Sequence, residues 1–440
     1  MAGVNFSGFN GFDFGKMIDL TIESESRPLT TLQQQQRSSQ DRDSAFVSLA
    51  AMISRIQTQV NTLNSETVFT NTAASSSNTD IVTTSQGTGA IVGKYDLSVT
   101  NLAKGQTTSS TNGYTNTTDV AADGGTISFT INGTTTTALT ISASTTLAGL
   151  RDAINAQGTG VVASVVNDGT NNKLVISSRT TGLTSGFVIN NSLTNGAGTV
   201  AAFANGQNTT TGNTQNSQNA TFTVNGLTIS SASNTVSEAV PGVSLTLVDT
   251  GTASVNVTAD YATLKETVRT LVSEYNKLKD FSDKSKTGAL ANDSVLRQSL
   301  SDIRTTLLAS NSNGGRYSYL AEIGVELTQT GQLKFDETKF NTAVNSYSTD
   351  LQKLFQGTTG VSGVFDTLKT KVDNLDGTTG LIRTTRNSLD TTIKSYRDRI
   401  TTQELRLEMR RQSLQKMYAA ADQAMSRLNS FSGQLQALSR

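Results

Sequence analysis

The sequence predicts a multi-domain α and β protein, with long terminal helices forming a coiled-coil or helical-bundle leg and β-rich domains inserted in the middle of the chain. Three observations lead to this prediction. Apolar residues recur every three or four positions near both ends, short alternating runs fill the middle, and only two prolines, Pro28 and Pro241, occur in 440 residues. Scarce proline is typical of long helices and regular strands, and the length corresponds to about three domains at ~150 residues each.

The first predicted helix runs from about Pro28 to Leu63. Its start fits the Arg27-Pro28 pair, because proline is favoured in the first turn of a helix. An amphipathic helix is indicated by apolar residues at helical spacing, namely Phe46, Leu49, Ile53, Ile56, Val60 and Leu63.

The middle zone, from about Val68 to Ala259, is rich in Thr, Ser, Asn and Gly and poor in charge. Alternating runs such as "GTISFTING" and "ATFTVNGLTIS" predict strands, and Asn-Gly or Asp-Gly pairs between such runs predict hairpin turns. These pairs are Asn132-Gly133, Asp168-Gly169 and Asn225-Gly226. One short helix is predicted in "TTLAGLRDAINAQG", where Leu147, Leu150 and Ile154 share a face. The zone therefore reads as one or two β-rich domains.

Helical spacing returns from about Tyr261. One apolar stripe comprises Leu264, Val268, Leu271, Tyr275 and Leu278, and a second comprises Val295, Leu296, Leu300, Ile303 and Leu307. A hairpin is predicted in "IGVELTQTGQLKF", with its turn near Gln329 to Gly331. Asp336 then suits the N-cap of a helix over "ETKFNTAVNS".

The final segment, from about Leu389 to Leu438, carries a heptad pattern that predicts a coiled coil. The first register comprises Leu389, Tyr396, Met417, Ala424, Phe431 and Leu438. The second register is unbroken and comprises Ile393, Ile400, Leu407, Leu414, Ala421, Leu428 and Leu435. Gln403 and Arg410 interrupt the first register, which weakens the seam locally.

The two predicted terminal helices differ in length. Fifty helical residues span roughly 75 Å, whereas the ~36 residues of the first helix span roughly 54 Å. About 20 Å of the longer C-terminal helix is therefore left without a partner. The opening stretch "VNFSGFNGFDFGKMIDL" could pack against that part, but each of its glycines costs ~1 kcal/mol in a helix. We therefore expect the ends to be loose in the monomer and ordered against other subunits, with an ordinary intramolecular pair as the alternative. The expected assembly or filament contacts are Phe6, Phe9, Phe12, Phe14, Ile18, Leu407, Leu414, Met417, Leu428, Phe431, Leu435 and Leu438.

These segments suggest four structural parts. We predict a terminal leg that is flexible until assembled (1–35 and 405–440), a helical bundle with a small hairpin (36–66 and 260–404), a β domain (67–118 and 209–259) and an inserted β domain with one short helix (119–208).

Composition excludes several kinds of chemistry. The chain has no cysteine and no histidine, so Ser-His-Asp, Cys-His and zinc-hydrolase sites are impossible. We expect neither an enzyme nor a cofactor or metal site. Acidic and basic residues number 35 each, so no net field favours nucleic acid. The N-terminal stretch is too short to span a membrane, which takes ~20 apolar residues, and it lacks the pattern of a signal peptide.

Several ordered motifs resemble the flagellar filament-capping protein family, also called hook-associated protein 2. The similar segment at the N-terminus is "FSGFNGFDFGKMIDLTIESESRPLTTLQQQQ". The similar segments towards the C-terminus are "LVSEYNKL", "GVELTQTGQLKFD", "GLIRTTRNSLD" and "MYAAADQAMSRLNSFSGQL". The text from Gly124 to Ser178 resembles the flagellin hook-type repeat. One departure is that Phe9 and Phe12 stand where the family usually carries leucine.

The resemblance implies a ring-like homo-oligomer at the distal tip of the bacterial flagellar filament, which holds exported flagellin subunits while they fold and insert. It also implies contact with the hook-filament junction protein and an export chaperone on the C-terminal helix, about Arg406 to Arg440. Membrane insertion is not implied, and export would use the flagellar type III apparatus without cleavage of a signal peptide.

Two alternatives remain. The chain could be a flagellin-like filament subunit, although the "SLERLSSG"-type opening of flagellins is absent. It could also be a surface adhesin that binds glycans through its Thr/Asn-rich β domains, which does not conflict with capping.

Overall fold

The computed structural model describes residues 13–194, 200–204 and 212–438, and it divides into two compact units. Met1–Phe69 and Ala262–Arg440 form the helical unit, and Thr70–Tyr261 form the β unit. The helices among the described residues are α1 (Phe14–Glu25), α2 (Arg27–Leu63), α3 (Thr67–Thr70), α4 (Leu147–Ala156), α5 (Ala262–Lys284), α6 (Ser294–Leu308), α7 (Glu337–Gln356), α8 (Val364–Asp376) and α9 (Leu381–Leu438).

In the helical unit, α2 packs against α5, α8 and α9. Its buried side chains are the six that the helical spacing predicted, and the helix begins one residue before Pro28. The predicted stripe on α5 is also buried throughout. On α6 the buried face includes Ser299, whose Oγ donates to the carbonyl of Val295 at 2.7 Å, while Leu300 of the predicted stripe is only half-buried.

Two acidic side chains fix helix starts in this unit. Asp336 caps α7 as predicted, because its Oδ1 accepts from the amides of Thr338 and Lys339 at 3.0 and 3.1 Å. Asp293 caps α6, and its Oδ2 lies 2.6 Å from the guanidinium of Arg42 on α2.

The last helix is longer than the heptads suggested. We expected it to begin near Leu389, but α9 begins at Leu381 and has 58 residues, which span roughly 87 Å. The earlier start follows the loop that ends at Gly380, whose carbonyl accepts from the amide of Thr384 at 3.0 Å.

The helical unit also contains two small hairpins. The strands are β19 (Val325–Leu327), β20 (Leu333–Phe335), β21 (Gly357–Thr358) and β22 (Val361–Ser362). The first pair is the predicted hairpin, and its Gly331 has φ 80°.

The β unit begins later than expected. Val68 and Phe69 belong to the one-turn helix α3 and to the helical unit, where Phe69 packs edge-on against Phe355 with 5.7 Å between ring centroids. The strands of the β unit are β1 (Thr72–Ser76), β2 (Val82–Gln86), β3 (Gly93–Asn101), β4 (Thr107–Ser109), β5 (Val120–Ala122), β6 (Gly125–Ile131), β7 (Thr134–Thr135), β8 (Leu139–Thr140), β9 (Thr145–Thr146), β10 (Val161–Asn167), β11 (Asn172–Ser178), β12 (Phe187–Leu193), β13 (Asn213–Gln215), β14 (Ala220–Val224), β15 (Leu227–Ser231), β16 (Thr235–Val240), β17 (Val243–Leu247) and β18 (Gly251–Ala259).

All strand pairs in the β unit are antiparallel. The largest sheet has the order β1-β18-β3-β14-β15, and the other main sheets have the orders β10-β11-β4-β13, β12-β6-β7 and β16-β17-β2. Two apolar cores lie within this unit. One comprises side chains between Tyr114 and Ala201, and the other combines side chains from 82–103 and 220–257.

The three predicted turns are confirmed. Asn132-Gly133 joins β6 to β7 and Asn225-Gly226 joins β14 to β15, with positive φ at all four residues. Asp168-Gly169 joins β10 to β11. The predicted short helix is α4, and its three predicted apolar side chains are fully buried.

Candidate assembly surface

The candidate assembly surface lies on the terminal helices α1 and α9, which carry the described members of the predicted contact set. Asp13 is the N-cap of helix α1, and its Oδ1 accepts from the amide of Lys16 at 3.0 Å. It packs against α9. The ring of Phe14 stacks on that of Tyr418, with 5.2 Å between centroids and 27° between planes. Ile18, one turn further, is only 3% exposed.

Two ion pairs flank this apolar contact. Arg411 lies 3.1 Å from the carboxylate of Asp19, and Arg410 lies 3.2 Å from that of Glu25. Since all four side chains are well exposed, each pair contributes at most about 1 kcal/mol. The pairs therefore orient α1 on α9, while Phe14 and Ile18 supply most of the attraction.

The seam of α9 changes character along its length. Leu407 and Leu414 are buried within the chain. Between them Arg410, one of the two residues that break the first register, turns to Glu25 instead of packing in the seam. A cleft of about 650 Å³ beside it is lined by Pro28, Gln403 and Leu407, among others. Both residues that interrupt the first register, Gln403 and Arg410, thus line a cleft.

From Met417 onwards several large apolar side chains of α9 face solvent. Met417 is 54% exposed, Leu428 66% and Phe431 65%. A helical face with large exposed apolar side chains is typical of a surface that another protein covers. This part of α9 is therefore the candidate assembly surface.

The twelve predicted contact residues fall into three groups. Phe14, Ile18, Leu407 and Leu414 pack within the chain, and Met417, Leu428 and Phe431 are exposed. Phe6, Phe9 and Phe12 lie outside the described residues, as do the side chains of Leu435 and Leu438.

Sequence reasoning missed the partners that hold α1, namely Tyr418, Arg410 and Arg411. Asp13, followed by apolar residues at helical spacing, is a signal for α1 that could have been recognised. No helix among the described residues combines the length and apolar character needed to cross a bilayer.

Three family models match the chain. Residues 217–430 match the C-terminus of flagellar hook-associated protein 2, residues 10–106 match its N-terminus, and residues 126–180 match the flagellin hook IN motif.

Similar proteins and a similar solved structure carry the same family name as these models. The B-type flagellar hook-associated protein 2 of Pseudomonas aeruginosa is 31% identical over 89% of each chain, and the flagellar hook-associated protein 2 of Escherichia coli K12 is 28% identical over 99% of this chain and 98% of its own. The crystal structure of the D1-D2-D3 domains of the flagellar cap protein from Escherichia coli aligns with a TM-score of 0.60 at 27% identity, over 79% of this chain and 99% of that one. The chain belongs to the flagellar hook-associated protein 2 family, the cap proteins of the bacterial flagellar filament.

Proposed function

We propose that the chain works as an oligomeric cap at the filament tip, where it promotes the folding and insertion of exported flagellin and prevents its loss. The observation that carries this proposal is the exposed apolar end of α9, with Leu428 and Phe431, on a chain of the cap family. Exposed apolar surface of this kind is stabilised when another subunit buries it.

In this proposal α1, α2 and α9 form a coiled-coil leg, with residues 1–35 and 405–440 as its terminal part. The bundle (36–66 and 260–404) supports the leg, and the β domains (67–118 with 209–259, and 119–208) form the plate of the cap. The phenylalanines Phe6, Phe9 and Phe12 belong to the assembly contacts together with Leu435 and Leu438. Ordering a loose end costs ~1–2 kcal/mol per residue, which keeps each contact weak enough to break as the cap advances.

The proposed partners are further copies of the chain, flagellin, the hook-filament junction protein and an export chaperone on residues 406–440. We propose export through the flagellar type III apparatus, an extracellular site of action and a structural role without catalysis. The absence of histidine and cysteine and the zero net charge support a role without catalysis or nucleic-acid binding.

The test is a strain that lacks the gene. We expect such a strain to release unpolymerised flagellin into the medium, and the purified full-length protein to reverse that release. The double variant Leu428→Ala and Phe431→Ala should restore capping poorly, and so should Phe9→Ala with Phe12→Ala, or removal of the region after Ser426. Val47→Ala on the exposed face of α2 is the matched control, because it removes an exposed apolar side chain away from the proposed contacts.

Normal filaments without release of flagellin in the deletion strain would refute capping and would favour the surface-adhesin alternative. Polymerisation of the purified chain into filaments by itself would favour the flagellin-like alternative. Full capping by the α9 double variant would remove Leu428 and Phe431 from the contact set.

A further inference from the structure

Strand β15 lies at one edge of the five-stranded sheet, and no strand among the described residues pairs with its outer side. The turn at Asn225-Gly226 has φ 48° and 84°, which makes Val224 and Leu227 a hydrogen-bonded pair in this two-residue hairpin. Because pairs alternate along an antiparallel ladder, the N–H and C=O groups of Thr228 and Ser230 point away from β14. Both residues are exposed, and no backbone group among the described residues bonds to their outward side.

A similar edge elsewhere in the β unit is covered by side chains. On β10, Asn155 donates to the carbonyl of Ala163 and accepts from its amide, both at 2.8 Å. Arg179 donates to the carbonyl of Val161 at 2.9 Å. The side-chain amide of Asn155 thus takes the place that a peptide group of a further strand would occupy, which protects this edge from unwanted pairing.

Two more edges carry other protective features. At the opposite end of the five-stranded sheet, Thr84 of β2 donates to the carbonyl of Ala74 on β1 at 3.0 Å. On β16, the register shifts between Val236 and Val240, and the exposed Glu238 lies within the irregular stretch. Bulges and charges of this kind are common devices on exposed edges.

Strand β15 has none of these features. Its sequence "LTISS" contains no charge and no proline, its register with β14 is regular over all five residues, and Leu227 at its start is 70% exposed. A regular, uncharged edge beside an exposed apolar side chain is the arrangement that accepts an added strand in peptide recognition.

We infer that the open edge of β15 binds an extended segment of an unfolded polypeptide by strand addition, and that the polypeptide is the exported flagellin subunit. The inference rests on the proposed capping function, because that function brings an unfolded chain to the protein. A second copy fits this edge less well. Pairing β15 with itself would give a two-fold dimer instead of a ring, and the edges of β1, β10 and β16 carry the protective features described above.

The geometry predicts what such a segment looks like. Main-chain hydrogen bonds to Thr228 and Ser230 are independent of sequence, so many segments can bind. Leu227 and Ile229 lie on the same face of β15, because they are paired with Val224 and Phe222; Ile229 packs against the core and Leu227 is exposed at its rim. Every second side chain of the added strand would lie beside Leu227 and Ile229, so alternating apolar residues are favoured.

The test uses overlapping short peptides that cover the flagellin of the same bacterium, each labelled with fluorescein, and the full-length protein. We expect at least one peptide with alternating apolar residues to bind, as measured by fluorescence anisotropy. Thr228→Pro removes an outward N–H that the native ladder does not use, and it should weaken binding about tenfold, whereas Thr228→Val keeps that N–H and should bind as the wild type does. Leu227→Lys, which places a charge at the rim, should also weaken binding.

Hydrogen exchange should show slower exchange at Thr228 and Ser230 when the peptide is bound. Equal binding by the proline and valine variants, absence of binding by every peptide, or protection elsewhere would overturn the inference. A changed sedimentation coefficient of the variants with unchanged peptide binding would assign the edge to contacts between copies and would also overturn it. If Thr228→Pro does not fold by circular dichroism, Leu227→Lys and the exchange data decide. Reversal of flagellin leakage by the wild-type protein is scored separately, so capping can stand while this inference fails.

Discussion

Replacing Ile18 with alanine should loosen α1 from α9. The substitution removes three carbons from a side chain that is 3% exposed. At ~0.8 kcal/mol for each buried carbon the loss is about 2.4 kcal/mol, and the cavity left behind adds to this loss while relaxation of a short helix at the end of the unit limits it. The higher helix propensity of alanine returns a few tenths of a kcal/mol. We therefore expect a net change of about 2–3 kcal/mol, which raises the undocked population of α1 by roughly 30- to 150-fold.

The assay is amide hydrogen exchange on the full-length protein. An isolated helix of 12 residues is marginal in water, so amides of α1 should exchange whenever the helix leaves α9. Exchange in α1 should accelerate by the factor given above, and exchange in α2 and α5 should stay unchanged. Met17→Ala is the matched control, because Met17 is the preceding residue and is 42% exposed. Equal acceleration by both variants, or none by Ile18→Ala, would refute the assignment of Ile18 as the anchor of α1.

Two further predictions concern polar groups. Gln106→Ala leaves the buried N–H and C=O of Phe187 without their partners at 3.2 and 2.7 Å, and it should lower the free energy of unfolding by about 2–6 kcal/mol. Gln215→Ala removes an exposed hydrogen bond of the same kind and should change the free energy of unfolding by less than about 0.5 kcal/mol. Calorimetry of the wild type and both variants is the measurement, and equal destabilisation by the two variants would contradict the prediction. Burial raises the pKa of the Asp376 carboxyl, partly offset by nearby arginines. Because the pKa of Asp376 is higher in the folded than in the unfolded state, the ionised carboxylate lowers stability once the pH exceeds the unfolded-state pKa of about 3.9. Asp376→Asn should therefore raise the melting temperature at pH 7 and lose that advantage near pH 3. A variant that melts at a lower temperature than the wild type at pH 7 would mean that the attraction of the arginines outweighs the cost of burial.

Local patterns in the sequence were enough to predict the elements whose cause is local. The stripe of α2 was predicted residue by residue, because an amphipathic helix shows its buried face directly in its spacing. The turns at Asn132 and Asn225 were predicted because only a few residues tolerate positive φ. Asp336 was recognised as an N-cap because its hydrogen bonds are also local and reach only two or three residues along the chain.

Features that depend on distant residues were not predicted. The bond between Gln106 and Phe187 joins residues 81 positions apart, and nothing near Gln106 in the sequence indicates it. Ser299 is buried with its hydroxyl bonded to the helix backbone, so polarity alone did not place it on the buried face of α6, although the predicted stripe is buried except for the half-buried Leu300. Helix α1 was not predicted either, because the glycines of the opening stretch suggested loose structure, whereas packing on Tyr418 holds Phe14 in the described part of the chain.

The order of burial along α9 connects the fold to the proposed mechanism. The seam residues Ile400, Leu407 and Leu414 are buried, whereas Leu428 and Phe431 further along the helix are exposed. Residues 419–434 span roughly 24 Å of the helix and include Leu428 and Phe431, which the described part of the chain leaves exposed. Arg410 stands just before this transition and pairs with Glu25 through an exposed contact, which contributes at most about 1 kcal/mol. A helix that is packed at one end and exposed at the other can exchange partners at its tip without unfolding its base, which is what the proposed advance of the cap along a growing filament would require.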